Sequence, residues 1–169
     1  MDKQMSTKQN SIIRRLNPAD LPDLYTIYQS HSFIANTSRT PYLSHAEIDQ
    51  LFLPDDNLCL VAETEGKAVG HVTLFFSSKP REKHCASLAI GVAASYQNQG
   101  IGKSLMLEAI NQADNWHNIR RIELDVLSQN TKAINLYKSL GFIEEGEKVD
   151  ATFSEGNFQN LKIMARLKA

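Results

Sequence analysis

The sequence predicts an α/β domain in which strands and helices follow one another in the order β-α-α-β-β-β-α-β-α-β-β. Short apolar runs bounded by turn-forming residues recur along the chain, as expected for strands. Between them lie segments with apolar residues at helical spacing and cap residues at their starts. A chain of 169 residues can bury one full hydrophobic core. We therefore expect a single domain over residues 11–169, preceded by a polar, disordered tail at residues 1–10.

The first quarter of the chain predicts a strand and two helices. Residues 11–16 are expected to form the strand. A helix should follow over residues 17–30, because Asn-Pro supplies an N-cap and a favourable first residue. Residues 33–43 are expected to be less regular. Residues 44–54 begin with Ser-His-Ala-Glu, which has the form of a capping box and predicts a second, shorter helix.

The rest of the chain alternates between strand and helix patterns. Strands are predicted over residues 58–62, 68–74, 84–92, 119–126 and 159–167. Glu65-Gly66 and Glu155-Gly156-Asn157 are expected to be turns, the first within a hairpin and the second between the two final strands. One helix should begin near Gly102 and another at about Thr131.

The most informative segment is the turn Gln97-Asn98-Gln99-Gly100-Ile101-Gly102, which joins an apolar strand to an amphipathic helix. The first N–H groups of a helix lack intrahelical partners, and the helix dipole adds about half a positive charge there. Gly100 and Gly102 have no Cβ, so an anion can approach the bare backbone. The turn therefore predicts a site for a phosphate-bearing cofactor, although ordinary tight turns favour glycine for the same steric reason.

Two better-known glycine motifs do not fit this turn. Gly102-Lys103-Ser104 resembles the end of a nucleoside-triphosphate loop, but Gln97 stands where that loop needs its first glycine. The dinucleotide fingerprint needs a third glycine three residues after Gly102, and the next glycine in the chain is Gly141.

A second motif lies after the next strand and changes this interpretation. Asn130, Ala133, Tyr137, Gly141 and Phe142 fill the pattern N-x-x-[AS]-x-x-x-Y-x-x-x-G-F. Together with the glycine turn, which has the form [RQ]-x-x-G-x-[GA], this pattern resembles the GCN5-related N-acetyltransferase (GNAT) superfamily. The resemblance implies a mixed, mostly antiparallel sheet of six to seven strands with helices on both faces. It also implies that two neighbouring strands splay apart to form a cofactor cleft.

The resemblance implies acetyl-CoA as the cofactor. Residues expected to bind its diphosphate are Gln97, Asn98, Gln99, Gly100, Ile101, Gly102, Lys103 and Ser104. The backbone of Ile90, Gly91 and Val92 should bind the pantetheine arm in the manner of an added strand. Asn130 is expected to contact the same arm, or to serve as the N-cap of its own helix, or both.

Direct acetyl transfer needs an acid for the departing thiolate and a base for the amine. Tyr137 occupies the position of the family's general acid. No carboxylate lies between His84 and Gln97, where many relatives have one, so we expect a water-relayed base at Asp125. Glu123 lies on the same face of that strand and, like Asp125, could instead be a surface carboxylate. His71 and His84 are the other titratable candidates.

The acceptor is expected to be a primary amine. Segments around residues 33–44 and 163–167 resemble a bacterial subgroup that includes L-amino-acid N-acetyltransferases, which implies a free amino acid in a pocket lined by Asn36, Thr37 and Tyr42. The absence of an acidic patch argues against polyamines and aminoglycosides. A protein N-terminus and a non-catalytic acyl-CoA-binding module remain alternatives at this point.

Composition restricts the partners. A formal net charge of −1 at pH 7 gives no basic excess for binding nucleic acid. No apolar run is long enough to span a membrane, and no signal sequence is evident, so we expect no membrane partner and a cytoplasmic location. Cys59 and Cys85 stand in apolar runs without other metal ligands, which favours free thiols and no metal site. A homodimer is compatible with the sequence, which does not determine the oligomeric state.

Overall fold

The computed structural model describes residues 11–169, so the predicted tail at residues 1–10 lies outside the described part of the chain. The strands are β1 (Ile12–Arg15), β2 (Asn57–Thr64), β3 (Lys67–Phe76), β4 (Cys85–Val92), β5 (Arg121–Leu127), β6 (Ile143–Ser154) and β7 (Asn157–Leu167). The α-helices are α1 (Leu21–Gln29), α2 (His31–Ile34), α3 (His45–Phe52), α4 (Ile101–Asn115) and α5 (Thr131–Ser139).

All seven strands form one mixed sheet in the order β1-β2-β3-β4-β5-β7-β6. Every neighbouring pair is antiparallel except β4 and β5, which are parallel. Apolar residues of α4 and α5, such as Leu105 and Ile134, form a core cluster with strand residues on one face of the sheet. A second cluster joins α1, α2 and α3 to the opposite face through Cys59 of β2. The predicted fold class is confirmed.

Local signals located the turns and caps correctly. Glu65 and Gly66 have φ angles of 51° and 77°, and Glu155 and Gly156 have φ angles of 51° and 79°. Left-handed values at both central residues fit the two-residue turns that match the twist of a hairpin. The predicted capping box also forms, because the Ser44 hydroxyl accepts from the Glu47 N–H while the Glu47 carboxylate accepts from the Ser44 N–H.

The first helical region differs from the prediction. It begins with a 3-10 turn over Pro18–Asp20, and α1 follows at Leu21. The helix ends because Ser30 takes an extended conformation with ψ of 120°. A short extra helix, α2, then forms in the segment expected to be less regular. Burial of Phe33 and Ile34 in the second core cluster explains this helix, since their apolar area outweighs the weak local helix signal.

The feature that creates the site is the junction of β4 and β5. The two strands pair only where Cys85–Ser87 lie beside Arg121–Glu123. Beyond this junction β4 stays bonded to β3 as far as Val92, and β5 stays bonded to β7 as far as Leu127. The strands therefore separate while each keeps its outer neighbour, which confirms the predicted splayed cleft.

Candidate functional site

The cleft between β4 and β5 has a volume of about 670 Å³, within the range of about 300–1,000 Å³ found for small-molecule sites. One part of the cleft, which we call its helix side, is lined by residues from α4, from the turn before it and from α5. Residues on the face covered by α1, α2 and α3 line what we call its aromatic side, and they include Tyr28, Phe33, Phe52 and Phe75. The cleft thus passes through the sheet from one face to the other.

The helix side is shaped by the predicted glycine turn. Gly100 is the N-cap of α4 with a φ of 85°, and Asn98 also has a left-handed φ, of 61°. A Cβ built on Gly100 would meet no atom within 4 Å, and one on Gly102 would lie 3.7 Å from the nearest atom, in Leu136. Because α4 begins at Ile101, its first N–H groups face this open space without helical partners. This arrangement suits a diphosphate.

Side-chain hydrogen bonds hold this turn in place. Gln97 Nε2 donates to the carbonyl of Val92 at 3.1 Å, and its Oε1 accepts from Lys132 Nζ at 3.3 Å. Gln99 Nε2 donates to the carbonyl of Ser95 at 3.1 Å. Gln97 and Gln99 therefore tie the turn to the end of β4 and to the segment that follows it.

The predicted diphosphate residues are not equivalent. Gln97, Asn98, Gly100, Gly102 and Lys103 line the cleft. Gln99, Ile101 and Ser104 are not part of its lining. The Ile101 side chain is 5% exposed and belongs to the core, and the Ser104 hydroxyl donates to the carbonyl of Gly100 at 3.1 Å. Ile101 and Ser104 therefore offer an anion only their backbone groups.

Lys132 is a cation of this site that the sequence analysis missed. It lies in the first turn of α5 and lines the cleft together with Lys103. Two lysines thus border the open start of α4. Its place in the second motif, two residues after Asn130, was the signal that could have identified it.

Asn130 and Tyr137 lie at opposite ends of α5, and both line the cleft. Asn130 is the N-cap, and its Oδ1 accepts from the N–H of Ala133 at 3.2 Å. Tyr137 is 8% exposed, and burial raises the pKa of its phenol to about 12. Within residues 11–169 its hydroxyl makes no hydrogen bond, so the proton it carries is available to a group in the cleft.

Ile90, Gly91 and Val92 line the cleft where β4 has left β5. In a strand bonded on one side only, every second residue directs its N–H and C=O toward the open side. Gly91 is also the point where the strand touches the aromatic side. A Cβ there would lie 2.4 Å from Cζ of Phe33 and 3.2 Å from Nε2 of His71, so only glycine fits without movement.

The candidate bases occupy very different surroundings. Asp125 lines the cleft, and its carboxylate forms a 2.7 Å ion pair with Lys148 of β6. Glu123 lies at the paired base of the two strands, outside the lining, and forms an ion pair with Arg121 at 3.0 Å. The neighbouring Leu124 belongs to the core cluster with α4 and α5, so Asp125 points to the aromatic side.

The two histidines also differ. His71 lines the cleft but is 1% exposed, and burial lowers its pKa to about 4. Its Nε2 lies 3.1 Å from the Tyr28 hydroxyl, and its Nδ1 has no partner in the described part of the chain. His84 precedes β4 and is not part of the cleft lining. His71 is thus a neutral group beneath Gly91, and His84 is remote from it.

The acceptor residues predicted from the sequence are only partly brought together. Asn36 and Thr37 line the aromatic side, where Asn36 Nδ2 donates to the carbonyl of Ser32 and Thr37 Oγ1 donates to the carbonyl of Ile34. Tyr42 is 92% exposed, has a φ of 63° and lies outside the lining. Arg39 lines the aromatic side instead and was missed by the sequence analysis. Between residues 11 and 169, no group of three His, Cys, Asp or Glu side chains is placed to hold a metal ion.

Known proteins share these features. The model of the acetyltransferase (GNAT) family matches residues 21–142. The L-amino acid N-acetyltransferase AaaT of Escherichia coli (strain K12) is 33% identical over 158 residues, which are 93% of this chain and 98% of that protein. A GNAT-family acetyltransferase from Streptococcus pneumoniae has a TM-score of 0.82 at 28% identity, covering 94% of this chain and 100% of that one.

A solved relative also carries the cofactor. The spermidine N-acetyltransferase of Vibrio cholerae, in complex with CoA and spermine, has a TM-score of 0.82 at 26% identity. The similarity covers 93% of this chain and 95% of that one. The expected enzyme class and cofactor are thereby confirmed. The alternative of a non-catalytic acyl-CoA-binding module is set aside. The chain belongs to the acetyltransferase (GNAT) family and is an acyltransferase that uses acetyl-CoA.

Proposed function

We propose that this enzyme acetylates the amine of a free amino acid, with preference for an apolar side chain. The observation that carries the proposal is the composition of the aromatic side. Its walls include Phe33, Phe52 and Phe75, which suit an apolar group. Asp125 is the one carboxylate among the described residues that line the cleft, and Lys148 already neutralises it.

This charge balance disfavours a polyamine. A polyamine carries several positive charges and would need several unpaired carboxylates in the cleft. The similarity to the L-amino acid N-acetyltransferase AaaT supports the same choice of acceptor. The similarity to a spermidine N-acetyltransferase, at 26% identity, makes polyamines the competing outcome that an experiment has to address.

The residues of the helix side have distinct tasks in this proposal. The free N–H groups at the start of α4, with Lys103 and Lys132, bind the diphosphate. The open backbone edge of Ile90–Val92 binds the extended arm that follows it. When bound, acetyl-CoA supplies the thioester at which a carbon–nitrogen bond to the amine replaces the carbon–sulfur bond.

Two side chains transfer the protons of the reaction, one to the departing sulfur and one from the amine. Tyr137 gives its proton to the departing sulfur, and its pKa of about 12 keeps the phenol neutral and protonated until then. Asp125 accepts the proton of the amine through a water molecule. Its position on the cleft wall favours it over Glu123, which lies outside the lining, and over His71, whose lowered pKa makes it a weak base.

The test is CoA release measured with acetyl-CoA and a panel of amino acids, polyamines, aminoglycosides and peptides. We expect amino acids with apolar side chains to give the highest kcat/KM. Gly102→Glu serves as the control that removes cofactor-dependent turnover. Faster turnover of spermidine than of any amino acid would refute the proposal.

Location, assembly and domain organisation remain predictions. No helix within residues 11–169 is long and apolar enough to cross a membrane. Cys59 and Cys85 are both free thiols, which supports a reducing, cytoplasmic setting. Ile143, Phe153 and Phe158 expose apolar area on β6 and β7, which supports a homodimer through this hairpin. Sedimentation analysis tests the dimer, and limited proteolysis tests whether residues 11–169 behave as one domain.

A further inference from the structure

Arg39 is a cation in the cleft that no step of the proposed reaction uses. It lies five residues beyond α2, lines the aromatic side and is exposed. Its backbone N–H donates to Thr37 Oγ1 at 3.1 Å, which fixes the start of the side chain. Within residues 11–169 its guanidinium makes no hydrogen bond or ion pair. A binding group for an anion is therefore present on the acceptor side.

Nearby carboxylates do not satisfy this charge. The backbone N–H and the hydroxyl of Ser44 hold the Glu47 carboxylate, both at 2.8 Å, and lower its pKa, to which the charge of Arg39 adds a smaller effect. Asp125, across the cleft, is paired with Lys148. Arg39 thus faces a space in which the acidic groups already have partners.

Arg39 lines the same cleft as Tyr28, His71 and Gly91. Burial raises the pKa of the Tyr28 phenol, and the positive charge of Arg39 opposes that rise. The Tyr28 hydroxyl lies 3.1 Å from Nε2 of His71. That nitrogen would lie 3.2 Å from a Cβ on Gly91, the residue of β4 that faces the aromatic side.

We propose that Arg39 binds the carboxylate of the acceptor amino acid and thereby selects free amino acids over amines that lack a carboxylate. This inference rests on the proposed function. An arginine fork matches the two oxygens of a carboxylate, and such charge-assisted bonds are strong and directional. In an α-amino acid the carboxylate is one carbon away from the amine, so fixing one group positions the other.

The phosphate groups of the cofactor do not account for Arg39. The turn and the two lysines that suit a diphosphate, Lys103 and Lys132, belong to the helix side of the cleft. Arg39 belongs to the segment that follows α2, on the opposite face of the sheet. The two sets of cations therefore serve different anions.

The test compares the substitution Arg39→Gln with the wild type on matched substrates. L-leucine, L-methionine and L-phenylalanine are each assayed beside their carboxamides, which keep the amine and the side chain but lose the negative charge. We expect Arg39→Gln to lower the acid-to-amide ratio of kcat/KM by about ten- to a hundredfold, mainly through KM for the acids. Arg39→Lys should restore part of the ratio, because it keeps the charge without the fork.

Arg81→Gln is the matched control, since Arg81 is exposed and lies outside the cleft lining. Calorimetric titration with the three amino acids gives a second readout, and their affinity should fall by a similar factor in Arg39→Gln. If the wild type acetylates amino acids and Arg39→Gln keeps both the ratio and the affinity, the role of Arg39 is refuted and the proposed function stands. If the wild type acetylates polyamines and none of the amino acids, the proposed function itself fails.

Discussion

Burial of His71 should make the wild-type protein less stable as the pH falls from 7 to 5. Replacing His71 by glutamine should remove this loss of stability. The imidazole is 1% exposed, and burial lowers its pKa from 6.5 to about 4. In this range the unfolded chain binds a proton at position 71 and the folded chain does not. Because the unfolded state binds more protons, the free energy of unfolding must decrease as the pH falls.

The size of the effect follows from the two pKa values. Moving from pH 7 to pH 5 should cost the wild type about 2 kcal/mol through His71, given ~1.4 kcal/mol per pH unit once the unfolded histidine is protonated. The loss levels off below the folded pKa of about 4. Carboxylates with lowered pKa values, such as Asp20 beside Arg14, lose their contribution mainly at still lower pH. Between pH 7 and 5, the difference between the wild type and His71→Gln therefore isolates the contribution of His71.

Urea unfolding at pH 7, 6 and 5 measures this difference. The wild type should lose about 2 kcal/mol more than His71→Gln over this range, with similar m-values for both proteins. The absolute stability of the variant does not matter, since only the pH dependence is compared. His117→Gln, which changes an exposed histidine, should keep the wild-type dependence. Equal losses in wild type and His71→Gln would refute the argument from burial.

Three predictions concern the cleft. Gly102→Glu should abolish CoA binding in calorimetry, because its carboxylate would enter the diphosphate space; affinity within threefold of wild type would contradict the phosphate site. Asp125→Asn should lower kcat/KM or shift its rise with pH between 6 and 9, whereas an unchanged profile would leave Asp125 as the structural partner of Lys148. Tyr137→Phe should lower kcat by about ten- to a thousandfold while CoA affinity is retained, because only the acid is lost; a wild-type rate would make Tyr137 a packing residue.

Short-range signals predicted the parts of this fold that depend on neighbouring residues. The turn at Gly100 and the N-cap at Asn130 could be read from the sequence because each depends on a few adjacent positions. The hairpin turn at Glu65-Gly66 was predictable for the same reason. These local features also shape the helix side of the cleft, where Gly100, Gly102 and Asn130 line the cleft as expected and Lys132 was missed.

The aromatic side could not be predicted equally well. The course of residues 35–44 depends on how α2 and α3 pack, and no periodic pattern in the sequence encodes it. Arg39 therefore went unnoticed, and Tyr42 was expected in a pocket that it does not line. Asp125 and Lys148, which form an ion pair, lie 23 positions apart in the chain and on different strands. Their proximity depends on the register of the sheet, which the sequence does not show.

The short pairing of β4 with β5 has a consequence for hydrogen exchange. Past Ser87, alternate amides of β4 are bonded to β3, while those between them face the cleft without a strand partner. Neighbouring amides of one strand should thus exchange by different routes, one set directly with solvent and the other only when the sheet opens. A ligand that occupies the cleft would slow the first set selectively. The amides of residues 88–92 would then show an alternating pattern of protection from exchange when the cleft is occupied. This pattern would reveal ligand binding even in a variant without catalytic activity.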